Sequence, residues 1–202
     1  GFGSLGEWLM VQSLDVTTGK QLDLLTRQNT MIVNVAERLP VVRTIDGQTQ
    51  VLVAGPLAKG SGYRLALFSV GLDGSEAKVV ESQSVKAEDW VIDGNGNAVA
   101  EIDYDNQIKR WSLRIKGPDG FWKDVVSRDA PIDAPEVAGL TPDGTGIVYQ
   151  DIDRDDYDVV SLKDGSSMGK FMGGQAGSLL VDPLTDRVIG VSKPSAGPEY
   201  TF

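Results

Sequence analysis

One stretch of the sequence has the spacing of a serine nucleophile. Gly165-Ser-Ser-Met-Gly169 matches the pattern G-x-S-x-G, whose central serine, here Ser167, projects from a sharp turn between a strand and a helix. Such a serine needs a base to take its proton, and that base is usually histidine. The chain has no histidine, and a turn sequence, Lys163-Asp164-Gly165, stands where a buried strand is required. We interpret the match as a Gly/Ser-rich hairpin and assign no catalytic residue.

A second stretch is rich in carboxylates. Asp151-Ile-Asp-Arg-Asp-Asp-Tyr-Asp158 alternates acidic residues in the way that an EF-hand calcium loop begins. That loop also needs a glycine in its middle and a glutamate at its end, and these two places hold Asp156 and Leu162. A solvent-facing hairpin, partly neutralised by Arg154, is therefore favoured over a bound cation, and we assign no metal ligand. A similar but weaker oxygen-rich run is formed by Asp93, Asn95 and Asn97.

Three acidic residues alternate along another segment, at Glu101, Asp103 and Asp105. On a strand they would share one face, where a pair of carboxylates could act as acid and base on a glycosidic bond. Nothing in the sequence brings a second acid from elsewhere to a fixed distance from them. We therefore favour a solvated strand face and keep a carboxylate-based glycosidase only as a third functional hypothesis.

Aromatic residues are dense between positions 90 and 122, and a cluster of them could stack on a sugar or a peptide. They are Trp90, Tyr104, Trp111, Phe121 and Trp122. Large flat side chains more often fill the space between packed sheets. We predict that Trp90 and Trp111 belong to the core, and both interpretations stay open for Trp122.

Composition removes several classes of function. The 202 residues include 29 acidic and 19 basic ones, and the resulting net charge of −10 would repel a nucleic acid backbone. There is no cysteine, so disulfides and thiolate chemistry are excluded within this sequence. No apolar run approaches the roughly 18 residues of a membrane span. The glycine-rich pieces, Gly60-Ser-Gly62 and Gly173-Gly174, lack a phosphate-binding pattern, so no cofactor is predicted. The compartment stays open between cytoplasm and periplasm.

The elements that must position these residues are predicted to be β-strands. Short apolar or alternating runs bounded by turn residues are typical of strands. The clearest runs are Gln50–Ala54, Tyr63–Val70, Ala98–Ile102, Arg110–Ile115 and Gly146–Gln150. Only Thr30–Leu39 has helical spacing, and it fits a strand about as well. The sequence therefore predicts an all-β protein.

The turns repeat along the chain. Asp-Gly, a dipeptide suited to tight hairpins, occurs six times. The six aspartates are Asp46, Asp73, Asp93, Asp119, Asp143 and Asp164. Every second site recurs after about 45 to 50 residues, close to the length of a four-stranded propeller blade. This favours a β-propeller segment of about four blades over a β-sandwich or another β-repeat.

Both ends of the sequence have the appearance of cut points. The first residues, Gly1-Phe2-Gly3, lack an initiator methionine, and apolar residues resume just before Phe202. We expect residues 1–202 to form one propeller-like domain, an open arc taken from a longer chain. The strand edges of such an arc would invite self-association.

Several segments resemble the propeller of the prolyl oligopeptidase family of serine peptidases, which includes acylaminoacyl and dipeptidyl peptidases. The resemblance is most specific over residues 89–113. The similar segments are Leu14–Lys20, Leu67–Ser75, Trp90–Asn97, Ile102–Asp105, Trp111–Leu113 and Leu140–Tyr149. Together they extend over most of residues 10–190, although each piece alone is a loose match.

The resemblance implies a function without catalysis by this chain. In that family the propeller covers a C-terminal α/β-hydrolase domain, which carries the catalytic residues, and restricts its substrates to peptides. The expected partners are therefore a hydrolase domain of the same parent chain and peptide substrates. The alternative is a stand-alone propeller-like module that binds a protein or a glycan.

Overall fold

The computed structural model describes residues 9–25, 34–151, 154, 156–174, 177–195 and 197–201. The chain forms two compact units, Gly1–Val85 and Lys86–Phe202. In the described ranges every regular element is a β-strand, except for a short 3-10 turn at Phe171–Gly174. None of these ranges contains a helix long and apolar enough to cross a membrane. The expectation of one domain over 1–202 stays a prediction.

The first unit contains a hairpin and a four-stranded antiparallel sheet. The hairpin pairs β1 (Gln12–Leu14) with β2 (Gln21–Asp23). The sheet runs in chain order through β3 (Val41–Ile45), β4 (Gln48–Lys59), β5 (Gly62–Gly71) and β6 (Lys78–Glu81). Inward residues of β4 and β5 pack on the segment after the hairpin, and Leu24, Leu25, Val53 and Phe68 are fully buried there.

The second unit repeats the same antiparallel meander. Its first sheet contains β7 (Ala87–Ile92), β8 (Ala98–Asp105), β9 (Arg110–Lys116) and β10 (Trp122–Asp129). The next contains β11 (Glu136–Leu140), β12 (Gly146–Gln150), β13 (Tyr157–Ser161) and β14 (Ser167–Lys170). A last, three-stranded meander contains β15 (Leu179–Asp182), β16 (Arg187–Ser195) and β17 (Gly197–Thr201). A parallel bridge between β11 and β16 joins the last two meanders in one seven-stranded sheet.

These sheets confirm the fold-class prediction, an all-β propeller segment of about four blades. Each sheet of four strands is antiparallel and follows chain order, as in a propeller blade. The meanders begin at Val41, Ala87, Glu136 and Leu179, at intervals of about 45 residues. The five predicted strands are all present, and Gly146–Gln150 has the predicted bounds.

Within the second unit, successive sheets pack face to face. Side chains alternate along β12, so Ile147 and Tyr149 face the β7–β10 sheet while Val148 faces the β15–β16 strands. Trp111 stacks on Tyr149, with ring centroids 6.3 Å apart. The central sheet is therefore apolar on both faces, which accounts for its continuous hydrophobic run in the sequence.

Aspartate side chains fix the turns between strands. At β7–β8 the carboxylate of Asp93 accepts hydrogen bonds from the backbone N–H groups of Asn95 and Asn97, at 2.9 and 2.8 Å. At β3–β4, Asp46 and Gly47 both have positive φ, 51° and 75°, as a tight hairpin requires. The predicted role of the Asp-Gly sites at hairpins is thus confirmed at these turns.

The ambiguous segment Thr30–Leu39 falls only partly within the described residues. Residues 30–33 lie outside them. From Asn34 onward the chain is irregular, and Ala36 forms a single antiparallel bridge with Leu9. The described part of this segment is therefore not helical.

A candidate binding cleft in the second unit

A row of three polar side chains crosses the sheet β11–β12–β13 at one end. Glu136, Gln150 and Tyr157 are directly opposite one another in the strand register. They form one wall of a cleft of about 490 Å³. Glu136 is exposed, whereas Gln150 and Tyr157 are half-buried. The row therefore presents a carboxylate, an amide and a phenol side by side to the cleft.

The opposite wall is the segment leading into β15. Gly177, Ser178, Leu179 and Val181 line the cleft on this side. Ser192 of β16 holds the segment in place, because its carbonyl accepts from Gly177 N–H at 2.9 Å and its N–H donates to the Ser178 carbonyl at 2.8 Å. This wall is therefore fixed by backbone hydrogen bonds.

The cleft exists because β11 and β16 touch only at one end. Their single bridge joins Leu140 to Arg187, and Leu140 N–H donates to the Asp186 carbonyl at 2.7 Å. Gly139 has φ of 145°, and a Cβ there would lie 2.4 Å from the Asp186 carbonyl oxygen. Glycine thus permits the close contact at this end, while the opposite end of β11, near Glu136, stays open.

The chemistry of the cleft is that of hydrogen-bond acceptors beside apolar surface. Gln150 Nε2 donates to the Arg154 carbonyl at 3.2 Å, which orients the amide and leaves its Oε1 as an acceptor. Burial, and then the charge of Glu136, raise the pKa of the Tyr157 phenol, so this hydroxyl stays neutral. Among the described residues no cation pairs with Glu136.

A second polar row crosses the β7–β10 sheet and contrasts with the first. It contains, in register, Trp90, Glu101, Arg114 and Asp124. Glu101 is fully buried and receives 2.6 Å and 3.1 Å hydrogen bonds from Arg114 Nη1 and Trp90 Nε1. Arg114 Nε also lies 3.0 Å from an Asp124 carboxylate oxygen. Arg114 thus lies between the two carboxylates of this row, Glu101 and Asp124.

The prediction of a solvated face for Glu101, Asp103 and Asp105 is therefore wrong for the first two. All three share one face of β8, as predicted, but Glu101 and Asp103 are buried. Arg114 bridges them at 2.6 and 3.2 Å, which compensates for the loss of water. Asp105 pairs with Lys86 at 2.7 Å, and this hydrogen bond lowers the pKa of its carboxyl.

The acidic segment Asp151–Asp158 forms the predicted hairpin connection between β12 and β13. Residues 152, 153 and 155 lie outside the described part of the chain. The carboxylate of Asp151 is 2.8 Å from Arg128 Nε, and Lys170 Nζ is 2.8 Å from both Asp156 and Asp158. The described carboxylates are thus neutralised by the protein's own cations. In the described ranges, no group of three acidic side chains could hold a metal ion.

Ser167 lies in a hairpin, as interpreted from the sequence. It is the first residue of β14, it is exposed, and its Oγ accepts a 3.2 Å hydrogen bond from Gly169 N–H. The preceding turn includes Gly165, with φ of 77°. A nucleophile elbow needs a strand before the serine and a helix after it, whereas Ser167 itself starts a strand.

The aromatic residues occupy separate environments. Trp90 and Trp111 are buried, as predicted for core residues. Trp122, for which both interpretations were open, is also buried, with Lys116 Nζ 5.0 Å from its ring centroid. Tyr104 donates to the Ala130 carbonyl at 2.7 Å, and Phe121 is exposed. They therefore do not form one stacking surface.

The comparisons with known proteins add no family to this description. No family model and no curated protein matches the chain. The likeness to the prolyl oligopeptidase propeller accordingly rests on the residues quoted for it. The cleft was not found from sequence. Gln150 ends a predicted strand, and the strand that pairs with it in the structure begins at Tyr157.

Proposed function

We propose that this chain is the non-catalytic propeller part of a serine peptidase of the prolyl oligopeptidase type, which binds peptides and controls their access to an α/β-hydrolase domain. The observation that carries the proposal is the position of the segment with the most specific resemblance. Residues 89–113 build three consecutive strands, β7 to β9, of a four-stranded meander. A blade is the structural unit that the resemblance implies for this segment.

The residues that carry the resemblance are also those that shape this meander. Trp90 donates to the buried Glu101, and Tyr104 donates to the Ala130 carbonyl just beyond β10. Asp105 accepts from the backbone N–H of Gln107 at 2.9 Å and so holds the β8–β9 turn. These structural roles support a shared fold, because a blade of the same structure needs residues that form the same contacts.

The composition supports a chemical step in another domain. The sequence contains no histidine and no cysteine, so under this proposal the hydrolase domain supplies the base and the nucleophile. What this chain offers a peptide is the cleft, with backbone and side-chain acceptors above apolar residues. In this proposal the chain binds peptides and controls their access, and acyl transfer takes place in the hydrolase domain.

The experiment that tests the proposal starts from the native gene product. An antibody raised to this chain is used to blot source-cell extract, and a product about 25 kDa or more larger than 21.6 kDa has room for a hydrolase domain. The full product should then hydrolyse short peptides, and this chain alone should not. A longer product without hydrolytic activity on any peptide would contradict the proposal.

A second candidate is a stand-alone module that binds a protein or a glycan. The observation in its favour is that all residues lining the cleft belong to this one unit. It predicts a native product near 21.6 kDa that binds a peptide or glycan array without hydrolysing it. The same blot therefore separates the two candidates.

A further inference from the structure

From the cleft we infer that this protein binds the basic side chain, lysine or arginine, of an extended peptide. The charged head lies beside Glu136, and the aliphatic stem lies along Ala138, Leu179 and Val181. This inference adds to the proposed function the class of peptide that the chain binds. It rests on that function for its biological meaning.

Charge is the first reason. Of the residues that line the cleft, Glu136 alone carries a charge, and no cation of the described chain compensates it. The nearby Asp158 is neutralised by Lys170, at 2.8 Å. The whole sequence has a net charge of −10, so long-range attraction also favours a cation. An acidic peptide would be repelled both by the Glu136 carboxylate and by the net negative charge of the chain.

Hydrogen-bond acceptors are the second reason. Gln150 Oε1, Tyr157 Oη and Ser178 Oγ join the Glu136 carboxylate along the two walls. A lysine ammonium has three donors and an arginine guanidinium five, and neither has an acceptor. Each of the four groups along the walls can accept a hydrogen bond from such a head group, and the carboxylate can only accept, so the cleft can satisfy several of its donors.

Apolar surface is the third reason. Ala138, Leu179 and Val181 supply the apolar side chains of the lining, whereas the side chain of Val137 packs on the opposite face of the sheet. Long basic side chains bury their methylene groups against such surface while the charged end stays at a polar, wetter rim. Glu136 is exposed at one end of its strand, which is where the head group would emerge. The cleft volume of about 490 Å³ is within the range of small-ligand sites.

A direct binding measurement tests the inference with the chain as it is. Fluorescently labelled five-residue peptides, blocked at both ends, carry lysine, arginine, acetyl-lysine or glutamate at the central position among alanines. Blocking removes terminal charges, so only the central side chain differs. We expect the lysine and arginine peptides to bind about five- to tenfold more tightly than the acetyl-lysine peptide, with the difference shrinking as salt is added.

The matched pair of variants is Glu136→Gln and Glu76→Gln. Both residues are exposed glutamates, and Glu76 lies in the first unit, outside the cleft. Glu136→Gln should abolish the preference for lysine over acetyl-lysine, whereas Glu76→Gln should keep it. Equal binding of all peptides by the unmodified chain, or equal effects of the two variants, would overturn the inference.

Two further measurements distinguish a basic peptide from other ligands. Spermidine supplies the same cationic chemistry without a peptide, and displacement of the lysine peptide by an equal concentration of spermidine would overturn the peptide assignment. Neutral glycans bound with an affinity unaffected by Glu136→Gln, in the absence of peptide binding, would overturn it as well. Hydrolysis by the full gene product is measured separately, so a failed peptidase assay and a failed lysine preference are distinguishable.

Discussion

Two rows of polar side chains cross two sheets of the second unit. In both rows the residues are paired in the strand register, but the glutamate is buried in one row and exposed in the other. In the β7–β10 sheet, Glu101 is buried and bonded to both of its cross-strand neighbours, Trp90 and Arg114. In the β11–β13 sheet, Glu136 is exposed, and its neighbour Gln150 is turned to a backbone carbonyl. A glutamate in a strand register position is thus structural in one sheet and available to a ligand in the other.

The difference shows that the neighbouring residue, and not the residue type, decides whether a glutamate is structural or available to a ligand. A buried carboxylate is tolerated only where its charge is compensated, and Arg114 does this for Glu101 and Asp103 together. A carboxylate without a cation must stay in contact with water, which keeps it accessible. Substitutions in one row at a time test this difference.

The largest expected effect comes from removing the cation of the buried row. Arg114→Met removes the cation that lies 2.6 Å from the buried Glu101 carboxylate, so we expect a loss of about 3 kcal/mol in the free energy of unfolding. Urea denaturation followed by tryptophan fluorescence measures it. The double variant with Glu101→Gln should recover more than half of the loss, since the buried charge is then gone. A loss below about 1 kcal/mol would mean that this row does not stabilise the sheet.

The next effect concerns the contact that closes one end of the cleft. Gly139→Ala introduces a Cβ 2.4 Å from the Asp186 carbonyl oxygen at a φ of 145°, so we expect a loss of about 2 kcal/mol or more. Gly120→Ala is the control, because it has positive φ but no atom within 4 Å of the new Cβ. The control should lose about 1 kcal/mol, from backbone strain alone. Equal losses would show that the close approach is unimportant.

A smaller effect distinguishes the two glutamates directly. Glu101→Gln removes a charge that accepts a hydrogen bond from Arg114, and should cost about 2 kcal/mol. Glu136→Gln changes an exposed side chain that has no ion pair with the described residues, and it should alter the free energy of unfolding by less than about 0.5 kcal/mol. The same urea titration measures both. A stability loss for Glu136→Gln as large as that for Glu101→Gln would remove the contrast between the rows.

The smallest effect is the acid response of Asp105, the half-buried neighbour of the buried acids on β8. Its hydrogen bond to Lys86 lowers its pKa in the folded state below the unfolded value of about 3.9. The stabilisation is therefore complete above that value and is lost as the pH falls through the lowered folded pKa. The stability difference between the unmodified chain and Asp105→Asn should stay constant from about pH 7 to 5 and shrink below about pH 4. A difference that shrinks near neutral pH would contradict this assignment.

Strands and turns were predictable because their signals are local. The run Gly146–Gln150 is apolar, bounded by turn residues, and became β12 with unchanged bounds. Asp93 was singled out with Asn95 and Asn97 as an oxygen-rich run, and these residues close a turn instead. Local patterns of this kind give element type and spacing, and the spacing of the Asp-Gly sites gave the repeat of the meanders.

Burial and the cleft were not predictable from local patterns. The burial of Glu101 depends on its register against Arg114 and on packing by other sheets, and only the register could have been inferred from the short β8–β9 turn. The cleft depends on β11 and β16 meeting at Leu140 alone, a contact between residues far apart in sequence. A single sequence does not specify such a contact.

The simple strand order has a consequence for how the protein is made. In each four-stranded sheet, every strand pairs with the strand before or after it in the chain. A ribosome adds about 5 to 20 residues per second, whereas a hairpin forms within about 10 microseconds. We therefore expect each sheet to assemble while the following one is still being translated. The order of synthesis becomes the order of folding, from the amino end onward.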